Sequence, residues 1–296
     1  MTTTATKRRR LPWYARWALI LMSLYVIYCG LMFFFQDKFV YRAGFAGQAS
    51  DRLPTEMTER IELATDEGHT VAWFVPAPDL GSGVEIGGAH PARPLAVFFH
   101  GNSELIDHQQ RIIDLYHGLG VSVLMVEYRG YGHSDGTPSE KHILADTLAV
   151  LEGALEREDV DADRLVLHGR SLGGGFATAI ALDTEPAALV VESTFKSLAS
   201  MATRYGVPPL LITSRLRSEE TFQVLDLPIL ILHGRADKVV PVSHAHALDT
   251  AGKDTTLVLF EANHNTLPPP GSVGRYEQAV RLHLEEAGVI EKKLSP

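Results

Sequence analysis

"LVLHGRSLGGGFATAIAL", residues 165–182, places a serine between two glycines directly after an apolar, branched run. The run has the composition of a strand buried on both faces, and the segment after it carries small and apolar residues at helical spacing. A chain that turns sharply from strand to helix lifts its corner residue clear of the sheet, and flanking glycines let the backbone pass closely. The free N–H groups of the helix N-terminus then point toward that corner. The predicted corner residue is Ser171, a candidate nucleophile. The same G-x-S-x-G pattern recurs at Gly132-His133-Ser134-Asp135-Gly136. There the following Gly136-Thr137-Pro138 is loop chemistry, so Ser134 is expected to be structural.

Outward from this corner, apolar runs alternate with helical periods. "LAVFF" (95–99), "VSVLMVE" (121–127), "RLVLHG" (164–169), "ALVVES" (188–193), "PILILHG" (228–234) and "TLVLF" (256–260) read as strands. Residues 57–65 and 69–75 read as two further strands around the turn "DEG", and residues 79–94, with four glycines and two prolines, as a loop. Residues 139–157 carry Ile143, Leu144, Leu148, Leu151 and Leu155 at helical spacing behind Ser139, a candidate N-cap. Residues 273–288 read as a closing helix. This alternation predicts an α/β fold with a mostly parallel central sheet and right-handed crossovers. Residues 194–226 intervene between two core strands and are expected to form a small cap, in which "YGVPPLLI" (205–212) is apolar enough to line an acyl pocket.

A serine hydroxyl is a poor nucleophile until a base removes its proton. "LHGRADKVVP" (232–241) puts Asp237 just past a strand, and "LFEANHN" (259–265) puts His264 just past the next. Both are positions where reactive groups gather in open α/β sheets. His264 is the candidate base and Asp237 the acid that orients it, with Glu192 as the alternative acid. Among 13 histidines, His244 and His246 fall in a predicted helix and are expected at the surface. His100, His168 and His233 each precede a glycine at a strand end and are expected to be structural or to line the site. A developing oxyanion needs preorganised donors. The backbone N–H groups of Leu172 and of Asn102, in "FFHGNS" (98–103), are the candidates.

The N-terminal region has a different character. "WALILMSLYVIYCGLMFFF", Trp17–Phe35, is 19 residues without a charge, which as a helix spans roughly 29 Å, close to the hydrocarbon thickness of a bilayer. It is longer than the apolar part of a signal peptide and ends in bulky residues, so it is expected to remain as a transmembrane anchor. Residues 1–16 carry five basic groups and no acid, against Lys38 and Arg42 soon after the span. That asymmetry predicts a cytoplasmic N-terminal tip and an extracytoplasmic body, residues 36–296. Net charge is −9, and the acidic body argues against nucleic acid as a partner. The single cysteine, Cys29, excludes an intramolecular disulfide. No metal-ligand pattern or phosphate loop is visible, so neither cofactor nor metal is expected.

Together, "FQDKFVYR" (35–42), "FFHGN" (98–102), "VEYRGYGHSDGTPSE" (126–140), "GRSLGGG" (169–175), "LHGRADKVVP" and "NH" (263–264) carry a resemblance. The chain resembles the membrane-anchored serine hydrolases of the α/β-hydrolase superfamily, Bem46-like branch. It departs from many relatives in reading "HGNSEL" for "HGNAGN" and Glu127 for Asp. The resemblance implies the α/β-hydrolase fold and acyl transfer to water, from an ester or thioester; the membrane anchor, not the resemblance, makes lipid or lipid-modified substrates the preferred expectation. A peptidase or amidase on the same three residues stays open, as does a silent, membrane-tethered binding protein, because fold alone does not give function.

Overall fold

The computed structural model describes residues 11–50, 52–78 and 91–292. The expected basic tip before Leu11 and most of the expected loop over 79–94 lie outside them. Eight strands form one sheet: β1 (Glu59–Thr65), β2 (Gly68–Val75), β3 (Arg93–Phe99), β4 (Ser122–Val126), β5 (Val160–Arg170), β6 (Ala188–Glu192), β7 (Ile229–Gly234) and β8 (Thr255–Phe260). Their order is β1-β2-β4-β3-β5-β6-β7-β8. The β1/β2 and β2/β4 pairs are antiparallel, and every pair from β4/β3 to β7/β8 is parallel.

Successive strand residues serve opposite faces, as period-2 geometry requires. Val97, Leu167, Val191 and Ile231 join one apolar layer; Phe98, Val166, Val190 and Leu232 join the other. The first layer is closed by α4 (Glu140–Leu155), α5 (Leu172–Thr184), α7 (Ser218–Val224) and α8 (Ser243–Ala251). The second is closed by α3 (Gln110–His117) and α9 (Val273–Glu286). Helix α4 opens as expected, with the Ser139 hydroxyl accepting from the His142 amide at 3.2 Å.

Strand β5 begins at Val160 rather than at the expected 164. Pro94 pairs with Asp161, and the next pair is Leu95 with Leu165, so residues 162–164 loop out of the ladder. Proline has no N–H for a ladder bond, and the irregularity falls at that residue. His244, expected at the surface, is buried, and its Nδ1 accepts from the Lys196 amide at 3.2 Å. Helix α8 turns this side toward the segment that follows β6. His246 is exposed, as expected.

Helix α1 runs Trp13–Phe34 and α2 runs Gln36–Val40. Among the described residues α1 is the one helix long and apolar enough to cross a membrane. Residues 194–226 hold α6 (Leu198–Ala202), two single helical turns at Thr203–Tyr205 and Pro209–Leu211, and α7. Within them Val207 is buried, but Tyr205 is 69% and Leu210 85% exposed. These two side chains face outward rather than lining an enclosed pocket.

The chain leaves β3 toward β4 on one side, then returns to β5 on the other. The carboxyl ends of β3 and β5 therefore flank the point where the strand order reverses, the crevice where open α/β sheets bind ligands.

Candidate active site

Three turns converge on that crevice. The first is the corner between β5 and α5. Ser171 sits there at φ 53°, ψ −114°, a conformation that costs a non-glycine residue about 1–3 kcal/mol. Two bonds hold the strained backbone: its N–H donates to the Glu192 carbonyl at 2.8 Å, and the Thr194 hydroxyl donates to its carbonyl at 2.8 Å. Close packing does the rest. A Cβ at Gly173 would lie 2.6 Å from the His100 carbonyl oxygen, and one at Gly174 would lie 2.5 Å from the Thr194 side chain. Without side chains there, the N-terminus of α5 presses against the end of β3.

The second turn follows β7 and the third follows β8. Asp237 Oδ2 lies 2.7 Å from His264 Nδ1, and His264 Nε2 lies 3.0 Å from Ser171 Oγ. Asp237 Oδ1 accepts from the Val239 and Val240 amides at 2.8 Å each. Burial alone would raise the Asp237 carboxyl. The hydrogen bond and charge of His264, the Val240 amide and nearby His233 outweigh it and hold the group below the usual carboxylate range. An ionised carboxylate only accepts, so Nδ1 carries the proton and Nε2 turns its lone pair to the Ser171 hydroxyl. Such an imidazole can take the hydroxyl proton as the oxygen attacks a carbonyl.

Glu192, the alternative acid, is not brought to His264. It is fully buried, accepts from Tyr276 Oη at 2.6 Å, and pairs with Arg170 at 3.0 Å and Arg111 at 3.6 Å. Burial opposes its charge, but Arg111 and Arg170 prevail and hold its carboxyl low. Ser134 is equally remote in role: its hydroxyl donates to the Glu127 carbonyl and accepts from the Val71 amide, both at 2.9 Å.

The turn after β3 completes the crevice. Among the described residues neither the Leu172 nor the Asn102 amide donates a hydrogen bond, so both remain available to an oxyanion. The Asn102 side-chain oxygen is engaged twice. Its Oδ1 accepts from the Arg42 amide and from Tyr131 Oη, at 2.8 Å each. The Gly101 amide beside it donates to Glu104 at 2.9 Å.

Comparison with known proteins places the fold in a family. Residues 90–219 match the family model described as serine aminopeptidase, S33. An uncharacterized protein of Mycobacterium tuberculosis is 32% identical over 264 residues, spanning 86% of this chain and 89% of its own. Protein bem46 of Schizosaccharomyces pombe is 29% identical over 74% of this chain and 76% of its own. The chain belongs to the α/β-hydrolase superfamily, in its Bem46-like branch. An esterase of Pyrococcus furiosus, 16% identical, shares the fold with a TM-score of 0.61, covering 80% of this chain and 96% of that one.

In this hydrolase one bridging side chain escaped the sequence reading. Arg170, the variable residue inside Gly169-Arg170-Ser171, donates from Nη2 to the His264 carbonyl at 3.0 Å and pairs with both Glu104 and Glu192. It thus links the β3 turn, the Ser171 corner and the His264 turn. The only hint in sequence was its place inside the motif, where residue type is unconstrained by the turn itself.

Proposed function

We propose that the chain is a membrane-anchored serine hydrolase that transfers an acyl group to water. Ser171 attacks an ester or thioester carbonyl while His264 takes its proton. The Leu172 and Asn102 amides receive the charge on the carbonyl oxygen. His264 then protonates the leaving group and activates water to release the acyl group from Ser171. Asp237 keeps the imidazole in the right tautomer and steadies its charged form. The observation that carries this reading is the continuous line Asp237–His264–Ser171, with contacts of 2.7 and 3.0 Å.

The proposed organisation is a cytoplasmic tip (1–16), an anchor (17–35) and an extracytoplasmic catalytic domain (36–296) with a cap at 194–226. Support comes from the apolar helix α1 and from the basic residues concentrated before it. An anchored site favours lipid or lipid-modified substrates. The matched family model, described as an aminopeptidase, keeps peptide amides as a second reading.

A fluorophosphonate probe tests the chemistry on the full chain in detergent. Wild type and Ser134→Ala should label, and Ser171→Ala should not; labelling that survives Ser171→Ala removes the assignment. A panel of esters and thioesters of graded acyl length, beside an aminoacyl anilide, separates the two substrate readings. Reporter fusions after residue 50 test the orientation, and activity of only the cytoplasmic reporter would reverse it.

A further inference from the structure

Helix α1 carries two tyrosine hydroxyls, of Tyr25 and Tyr28, where a bilayer would offer them no partner, and both have found one in the cap. Tyr25 Oη donates to the Gly206 carbonyl at 2.8 Å, and Tyr28 Oη donates to the Tyr205 carbonyl at 2.7 Å. Further along, the Thr213 amide donates to the Gln36 side chain at 3.0 Å. The cap therefore lies along the helix from Tyr25 to Gln36, roughly 16 Å at the α-helical rise.

Tyr25 stands near the middle of the uncharged stretch 17–35. If α1 crosses a bilayer, the carbonyls of residues 205 and 206 lie at the depth of the acyl chains. In water neither carbonyl needs a protein donor. In hydrocarbon an unpaired carbonyl or phenol costs several kcal/mol, and here each satisfies the other. The surrounding side chains match that environment. Residues 205–213 carry no charge, and Tyr205 and Leu210 are their exposed large apolar side chains. Arg204, just before them, turns away and donates to the Lys238 and Val239 carbonyls at 2.9 and 2.6 Å. That contact joins the base of the cap to the turn that carries Asp237.

We infer that the cap tip, residues 205–212, is inserted into the lipid leaflet beside α1, its exposed side chains in contact with acyl chains. This rests on the reading of α1 as a membrane anchor. It gives the catalytic domain a second membrane contact, reached through Arg204 from the Asp237 turn, and brings the cap of the site to where acyl lipids reside.

The lone cysteine makes the test direct. In a Cys29→Ala background, Leu210→Cys is labelled with an environment-sensitive fluorophore, and the full chain is reconstituted in phosphatidylcholine vesicles. Leu21→Cys in α1 and Glu152→Cys, exposed on α4, serve as references. The label at 210 should be quenched by doxyl groups on the acyl chains and shielded from iodide, like the label at 21 and unlike that at 152. Tyr205→Cys gives the same readout should the Leu210 variant fold poorly. Labels at 205 and 210 as open to iodide as the one at 152, with the label at 21 in lipid, overturn the inference alone. A label at 21 that also reads water overturns the anchor and the inference together.

Discussion

The backbone amide of Arg42 donates to the Asn102 side chain at 2.8 Å, tying the chain that leaves α1 and α2 to the turn after β3. Tyr131 closes the knot: its hydroxyl accepts from the same amide at 3.0 Å and donates to the same oxygen. The Asn102 amide, one of two proposed oxyanion donors, is thus aimed by the segment that follows α2. Loss of one such donor costs about 10²–10³ in kcat, and a donor merely left loose should cost less. Tyr131→Phe is expected to lower kcat about tenfold with KM nearly unchanged, measured on a chromogenic ester with the full chain. Arg42→Ala keeps the amide and should be silent. Equal kcat in wild type and Tyr131→Phe would separate the knot from catalysis.

The two acids should fail differently. Asp237→Asn leaves the geometry but supports the wrong imidazole tautomer, and a loss of about 10⁴ in kcat is expected. Glu192→Gln removes the charge facing Arg170 and Arg111 and should cost about 3–5 kcal/mol of stability, with the folded fraction more active than Asp237→Asn. Denaturant midpoints beside turnover numbers check both; the reverse pattern would assign the acid role to Glu192.

Ser134→Ala should label with a fluorophosphonate as wild type does, yet unfold more easily. It strands the Val71 amide and the Glu127 carbonyl, and leaving one buried group unpaired costs about 1–3 kcal/mol. Chemical denaturation reads the loss.

Stability should fall with acid earlier than carboxylates alone would cause. Burial holds His168 and His283 down to about 4, below the ordinary value near 6.5. Below pH about 6.5 the unfolded chain binds protons that the folded chain refuses until about pH 4. The contribution of each is therefore complete above about 6.5 and is lost as pH falls toward 4, at up to about 1.4 kcal/mol per pH unit. His117, His233 and His244, also lowered mainly by burial, act in the same sense. His283→Gln should flatten the slope of unfolding free energy against pH between about 6.5 and 4; an unchanged slope would exclude it as a contributor.

Much of this arrangement was legible before folding, because its causes are local. A strand buried on both faces must be apolar at successive positions, so β3 through β7 announce themselves. The corner at Ser171 needs small residues at fixed offsets, and Ser134 lacks the helix that would follow. Asp237 and His264 could be named because each lies just past a strand. What sequence withheld is long-range. Nothing near Arg42 indicates that its amide reaches Asn102, and nothing near Tyr25 points to Gly206. His244 looked like a surface residue because helical spacing gives a face only once its neighbour is known. Leu210 looked like pocket lining because apolarity does not say whether a side chain turns toward protein or away from it.

The packing at the Ser171 corner separates what this protein can vary from what it cannot. The space for a methyl group at Gly173 and Gly174 is already held by the Phe99 and His100 carbonyls and by the Thr194 side chain, while Ser171 itself is partly open. In a saturation-mutagenesis screen scored for folded protein, the two glycines should be columns of near-total intolerance, while Ser171 should accept small unbranched residues and refuse proline and β-branched ones, which its positive φ disfavours. For folding, the proposed nucleophile is thus the more replaceable part of the corner, and the empty space around it is the part that must be kept.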